Sequence, residues 1–346
     1  MNPLPPHQYI QRETARIQTE HLFSDRLVNA LYSDTRERGS NLFRALTSAR
    51  MSSLLGFLTY DTLVGAKLSG AGHFSRKLGI DLSECLDSPE TLDTPRKLFE
   101  RKIRYRACRP MDEDPAVVVS PADAKMLVGS FSKTSQIFLK EKFFSFEALL
   151  GEGRTRWLKV FADGDFAIFR LTPDKYHYNH LPVSGEVVDI YDIPGTYYPC
   201  NPGAVMALAT PYSKNRRVVT VIDTDVQGGS GIGPVAMIEV AALMIGDIVQ
   251  CYSEHEYDDP KPVVPGLFVK KGQPKSLYRP GSSTDVLIFQ RNRIRFSFDI
   301  VMNMFHPGVR TRFSEGFGRP LVETEVALRS GIGRKINNHE GESSDE

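Results

Sequence analysis

Three short stretches of the chain carry side chains able to do chemistry. In Tyr176-His177-Tyr178-Asn179-His180-Leu181-Pro182, closed by Gly185, two of the eight histidines lie three residues apart. A Pro-bounded segment can turn both imidazoles into one pocket, and imidazole is the side chain best suited to proton transfer near neutral pH. The same pair also reads as two hydrogen-bonded structural histidines; as metal ligands they lack a third partner nearby. Asp123 closes Ser120-Pro121-Ala122-Asp123 directly after an apolar run, where an Asp beside Pro is either a turn former or a carboxylate placed to orient a base. Gly281-Ser282 enters the run Ser283 to Phe289. As a bare dipeptide it is a turn. It is also a place where a deprotonated serine hydroxyl could attack an unhindered glycine carbonyl and turn an amide into an ester. A fourth stretch, Gly228 to Pro234, is rich in glycine but lacks the lysine and Ser/Thr of a phosphate loop, and it reads as a hairpin connection.

Taken in order, Ser-Pro-Ala-Asp, then Tyr-His-x-x-His-x-Pro-x-x-Gly, then Lys271-Gly272 before an aromatic and Gly281-Ser282-Ser283, resemble the signatures of the phosphatidylserine decarboxylase family. Phe99, Arg101 and Arg109-Pro110 resemble that family's aromatic-arginine and Arg-Pro stretches. Ile193-Pro194-Gly195 and Pro234 to Gly246 match two further segments, so the resemblance runs from Leu98 to Leu328. The chain departs from the pattern at Ala124, Ser276 and Pro280, and the run from Ser282 to Phe289 is one residue longer than usual. That extra residue makes Ser283 a second candidate nucleophile, although Ser282 alone follows a glycine.

The resemblance implies a self-cleaving proenzyme. Asp123 would orient His180, His180 would take the proton of Ser282, and cleavage between Gly281 and Ser282 would leave fragments 1–281 and 282–346. Ser282 would become a covalent pyruvoyl cofactor, and no metal is implied. His177 would contact the substrate carboxylate or assist reprotonation. The implied substrate is phosphatidylserine, with a small soluble amino acid as the alternative. An uncleaved, non-catalytic relative and a hydrolase built on Asp123, His180 and Ser282 are further alternatives. The implied partners are the chain's own two fragments, a homo-oligomer and a peripheral membrane contact.

These residues need a scaffold. The implied fold class is α+β: an N-terminal helical segment over residues 1–97, a β-rich catalytic domain over 98–330 and a disordered tail over 331–346. Arg12 to Tyr32 carries apolar residues at mixed three-to-five spacings and reads as helical, as does Met51 to Leu68. From Ala116 the texture changes to short β-branched and aromatic runs: Val117 to Val119, Phe166 to Phe169, Val187 to Ile190, Val218 to Ile222, Val235 to Ile238, Val286 to Phe289 and Ile294 to Phe298. Met237 to Val249 is ambiguous between strand and helix. The tail after Ser330 is poor in apolar residues and reads as disordered.

Composition narrows the partners. A net charge of +1, from 43 Lys and Arg against 42 Asp and Glu, argues against a general nucleic-acid binder. Four scattered cysteines suggest neither a zinc site nor a secreted disulfide framework, and the first residues lack a signal peptide's pattern, so the expected home is the cytoplasm. No window reads as a membrane span; Met51 to Leu68 fits either a helix packed on its own domain or one lying on a membrane surface.

Overall fold

A strand covered on both faces has no need to alternate, and Val286-Leu287-Ile288-Phe289 is wholly apolar and wholly buried. The computed structural model describes residues 6–20, 22, 75, 79–137, 143–208, 210–242, 247–280 and 283–337. Its strands, in chain order, are β1 (Gln8–Gln11), β2 (Arg16–Thr19), β3 (Val117–Val119), β4 (Ala124–Ser130), β5 (Asp165–Leu171), β6 (Tyr178–His180), β7 (Gly185–Ile193) and β8 (Arg217–Asp223). They continue with β9 (Pro234–Ala241), β10 (Ile248–Gln250), β11 (Phe268–Val269), β12 (Pro274–Tyr278), β13 (Ser283–Phe289), β14 (Ile294–Phe296), β15 (Glu323–Val326) and β16 (Gly331–Lys335).

Ten of these form one sheet in the order β11-β7-β8-β9-β13-β5-β4-β15-β1-β2. β13 lies inside it, antiparallel to β9 on one side and β5 on the other along its whole length. Two three-stranded sheets, β10-β12-β6 and β14-β16-β3, complete the β structure. Short helices such as Pro95–Phe99, Tyr105–Cys108 and Phe298–Met304 pack around the sheets, giving the α+β class. Thr94 caps the first of them by accepting from the Lys97 amide, with Pro95 in the first turn where its missing N–H costs nothing.

The strand readings from residue type hold for β3, β5, β7, β8, β9 and β13, and the ambiguous stretch after Met237 is strand through Ala241. The glycine-rich segment is the hairpin loop between β8 and β9, as expected. The Thr224 hydroxyl closes it, accepting from the Ile232 amide and donating to the Gly233 carbonyl.

Three expectations need correction. Ile294 to Phe298 is strand only to Phe296, and a helix begins at Phe298. The helical reading of Arg12 to Tyr32 fails at its start, because β1 and β2 form a hairpin and β1 joins the main sheet in parallel with β15. Ile17 is exposed on that hairpin, so the mixed apolar spacings did not mark a buried helical stripe. The tail does not begin at residue 331: Gly331–Lys335 is β16, paired with β3 and β14, and its one large apolar side chain, Ile332, is buried. Backbone pairing held in place by a single core side chain outweighs a polar composition. Met51 to Leu68 lies outside the described residues.

An ionic cluster seats the N-terminal hairpin. Arg170 on β5 donates to Glu323 on β15 at 2.6 Å and to Glu20, just after β2, at 2.6 Å, while His7 lies 2.8 Å from Glu323. His7, Glu20 and Glu323 lie close enough to ligate a metal, but the Arg170 guanidinium stands between the two carboxylates and offsets their charge.

Candidate active site

β6, the strand that ends in His180, runs beside the strand that leads to Gly281-Ser282. β6 pairs antiparallel with β12: Tyr178 stands opposite Leu277 and His180 opposite Pro274, and the Tyr278 amide donates to the His177 carbonyl at 3.0 Å. The Ser-Pro-Ala-Asp turn joins them, since the His180 amide donates to the Pro121 carbonyl at 2.8 Å. Gly281 and Ser282 themselves lie outside the described residues; Pro280 precedes them and Ser283 opens β13. Ser283 stands level with Leu171 on one side and Ala241 on the other, which ties the segment beyond the dipeptide into the sheet. This ladder also argues against Ser283 as nucleophile, since its backbone is already committed to two neighbours.

His180 is wholly buried. Its Nδ1 lies 2.9 Å from the Gly272 carbonyl, to which it must donate, and its Nε2 lies 3.0 Å from the Tyr176 hydroxyl. Tyr105 packs edge-on against the ring at 4.7 Å. Burial pushes the imidazole down to about 3, so it is neutral near pH 7 with the lone pair on Nε2. The expected bond from Asp123 to His180 is not made. Asp123 accepts instead from Arg109 through Nε and Nη2, both at 2.9 Å, and from the Leu328 amide at 2.7 Å. Arg109 reaches on to Glu84. Despite burial, the Arg109 guanidinium and the Leu328 amide hold the Asp123 carboxyl below the usual range, so it stays charged and reaches His180 through space rather than by contact. The orienting role falls to the Gly272 carbonyl. Gly272 has φ +74°, a backbone that strains any residue with a side chain, and an added Cβ would also push the Met111 side chain aside.

His177 is buried too, stacked on Phe99 with ring centroids 3.6 Å apart. Burial, with Arg101 adding to it, pushes it down to about 3. Neither ring nitrogen has a partner at hydrogen-bonding geometry, although the Lys175 backbone lies near enough to favour the protonated form. Phe99 and Arg109, noted as sequence matches, thus meet His177 and Asp123 directly.

A second group escaped the sequence reading. Glu239 on β9 is fully buried and takes the Lys275 ammonium at 2.7 Å, with Gln250 at 2.9 Å, Asn179 at 3.3 Å and the Ser276 hydroxyl also donating to it. Directly across the ladder stands Asp285 on β13. Its Oδ1 lies 2.7 Å from the Tyr278 hydroxyl. Burial, and then the Glu239 charge, push the Asp285 carboxyl well above its usual range. The available signal was a charged residue inside an apolar strand-like run, which seldom occurs without a partner.

Several buried polar atoms around these strands have no partner: both nitrogens of His177, Asn179 Oδ1, Ser283 Oγ, Asp285 Oδ2 and Thr172 Oγ1, the last one residue beyond the Leu171–Ser283 pair. Buried orphans are costly, and residues with unused donors and acceptors would suit a small polar group such as a pyruvoyl.

Comparison with known proteins identifies the family. The phosphatidylserine decarboxylase family profile matches residues 96–319. Relatives named phosphatidylserine decarboxylase proenzyme include one from Ruminiclostridium cellulolyticum, 29% identical over 332 residues, covering 95% of this chain and 98% of that protein. Another, from Fusobacterium nucleatum, is 29% identical and covers 86% and 91%. A third, from Chlamydia trachomatis, is 30% identical and covers 95% and 97%. The family match and the relatives' names make this chain a carboxy-lyase. The chain belongs to the phosphatidylserine decarboxylase family.

Proposed function

We propose that this chain is a proenzyme that cuts itself between Gly281 and Ser282, converts Ser282 into a pyruvoyl group and decarboxylates phosphatidylserine to phosphatidylethanolamine. The observation that supports this reading is the pairing of the histidine strand β6 with β12, the strand that runs into the Gly281-Ser282 dipeptide. In the first step the Ser282 Oγ attacks the Gly281 carbonyl carbon, the peptide C–N bond breaks and an ester forms. The hydroxyl proton passes by way of the base to the freed nitrogen of Ser282. Removal of the Ser282 Cα proton then expels the Gly281 carboxylate. Tautomerisation and addition of water release ammonia and leave the ketone.

His180 serves as the base in this scheme, because it is neutral and carries its lone pair on Nε2 while the Gly272 carbonyl holds Nδ1. Asp123 favours the transient imidazolium by its charge. His177, with nitrogens free of hydrogen-bond partners, faces the substrate. The pyruvoyl group supplies a ketone for the substrate amine and a carbonyl that draws in the electrons released with carbon dioxide.

A bilayer lipid must be met by a face that rests on the membrane, and no described helix is long and apolar enough to cross one. Phe298 and Met302, one helical turn apart and 78% and 51% exposed, are candidates for that contact.

Intact mass and denaturing gels provide the test. Wild-type protein should yield two fragments, the smaller blocked at its N-terminus, and release carbon dioxide from phosphatidylserine in anionic vesicles. Ser282→Ala should remain one chain. Cleavage in Ser282→Ala would sink the assignment, and turnover of free amino acids in place of the lipid would move the substrate.

A further inference from the structure

β12 ends and β13 begins on either side of the scissile dipeptide, and one side chain bridges them. The hydroxyl of Tyr278, the last residue of β12, lies 3.1 Å from the Thr284 carbonyl and 2.7 Å from Asp285 Oδ1. All three residues are fully buried. We propose that Tyr278 and Asp285 form a clasp that holds the chain on both sides of Gly281-Ser282, setting the Ser282 hydroxyl against the Gly281 carbonyl and keeping the two new ends together after the cut. Both are positioning residues, and the inference rests on the self-cleavage proposed above.

Proton accounting supports it. A phenol has one proton and cannot donate fully to two acceptors. Burial and the Glu239 charge favour the protonated Asp285 carboxyl, which can donate to the Tyr278 oxygen while Tyr278 donates to the Thr284 carbonyl, so that both bonds are satisfied. An ionised Asp285 would compete with the Thr284 carbonyl for the single phenolic proton and would face Glu239 as a like charge across the ladder. Each side is separately anchored. β12 is fixed to β9 through Lys275 and Ser276 on Glu239, and β13 is fixed between β5 and β9. The clasp therefore joins two rigid strands across the segment that must bend for the attack. Displacements of about 1 Å in such a geometry cost on the order of a hundredfold in rate.

The chemistry offers a readout that loss of stability alone would not move. A well-seated ester collapses by elimination to pyruvoyl and ammonia, whereas an ester open to water hydrolyses and leaves serine at the new N-terminus. Intact mass separates the two small fragments, since the pyruvoyl form is lighter by one ammonia. Freshly synthesised protein would be followed over time for cleavage half-life and for the serine-to-pyruvoyl ratio. Tyr278→Phe, which keeps the ring, should cleave roughly ten- to a hundredfold more slowly and give a larger serine-ended share. Asp285→Leu should behave alike. Asp285→Asn, which still donates a proton, should recover most of the rate. Should Tyr278→Phe fail to fold, the Leu and Asn variants of Asp285 read the same clasp from its other side. Wild-type rate and ratio in Tyr278→Phe and Asp285→Leu would overturn the clasp, as would an Asn variant no better than Leu. A wild-type chain that never cleaves would overturn the self-cleavage reading itself.

Discussion

Two of the ionic clusters buried among the described residues are finished to different degrees. Around Arg170, the charges of Glu20 and Glu323 are met by guanidinium contacts at 2.6 Å, His7 completes Glu323, and no buried polar atom of these four residues lacks a partner. Around Glu239 the pairing with Lys275 is equally close, yet Asn179 Oδ1, Ser283 Oγ and Asp285 Oδ2 are left over. The first cluster joins the N-terminal hairpin to β5 and β15 and has no spare hydrogen-bonding capacity. The second lies under the strands that flank Gly281-Ser282 and has capacity to spare. A fully satisfied buried network fixes a structure; an unsatisfied one in the same sheet marks where a further polar group is to be accommodated.

The largest effect should come from breaking the finished cluster. Arg170→Met removes the cation that Glu20 and Glu323 share and leaves Glu20 only Lys125 at 3.9 Å, and removing one partner of such a buried group costs about 3–5 kcal/mol. Urea unfolding of the uncut Ser282→Ala protein, with and without Arg170→Met, measures this directly. A loss below about 1 kcal/mol would mean that the cluster contributes little more than a surface pair. Whatever fraction of the Arg170→Met single variant folds should still cleave itself, since the Arg170 side chain, though level with Thr284 in the ladder, bonds to Glu20, Glu323 and His7 and to no residue of β6 or β12.

The two clusters should also respond to pH with opposite sign. Glu20 and Glu323 are held below their unfolded values, chiefly by Arg170 acting against burial, so their stabilisation is present above about pH 4.5 and is lost as pH falls. Asp285 is raised well above 3.8 by burial and by Glu239, so between that value and its folded pKa the native state binds more protons than the unfolded one, and stability falls as pH rises. His177 and His180, depressed from 6.5 to about 3, add to the acid side: the unfolded state takes up protons in that window and stability falls on acidification. Unfolding free energies of the Ser282→Ala protein from pH 4 to 8 should therefore show less decline on the alkaline side when Asp285→Asn is added, and less decline on the acid side when Glu323→Gln is added instead. Identical profiles for the two double variants would remove the distinction.

Much of this was legible in the sequence because local patterns determined it. Val286 to Phe289 read as a strand by residue type and length, and the glycine-rich stretch without a phosphate-binding lysine read as a hairpin connection. The order of motifs pointed to the histidines and to Gly281-Ser282. What was not legible depended on pairing over long distances. Nothing near Asp123 showed that Arg109 would take both its oxygens, or that the carbonyl of Gly272, some ninety residues from His180, would hold the imidazole. The start of Arg12 to Tyr32 was misread because the hairpin is defined by β15, near the other end of the chain, and the start of the tail was misread because β3 provides the edge on which Gly331–Lys335 lies. Lys275 and Asp285 take their meaning only from Glu239, the ion-pair partner of the first and the ladder neighbour of the second.

The smallest effect is expected at Ser283, which tests whether the leftover atoms of the second cluster are all of one kind. Its hydroxyl is buried and unpartnered, like Asp285 Oδ2, yet its backbone is tied to Leu171 and Ala241. Removing a hydroxyl that has no partner forfeits no hydrogen bond and relieves a desolvation cost, so Ser283→Ala should unfold no more easily than its parent. If Ser282 is the nucleophile, cleavage should also slow by less than tenfold, equivalent to about 1.4 kcal/mol in the barrier. The extra residue between Ser282 and Phe289 keeps the alternative concrete, because Ser283 as nucleophile would attack the Ser282 carbonyl and place the new N-terminus one residue later. Time courses of cleavage and the intact mass of the small fragment decide between them. An uncut Ser283→Ala protein beside a normally cut Ser282→Ala protein would place the chemistry inside the ladder of β13, and the satisfied backbone of that strand would then have to open before any bond could break.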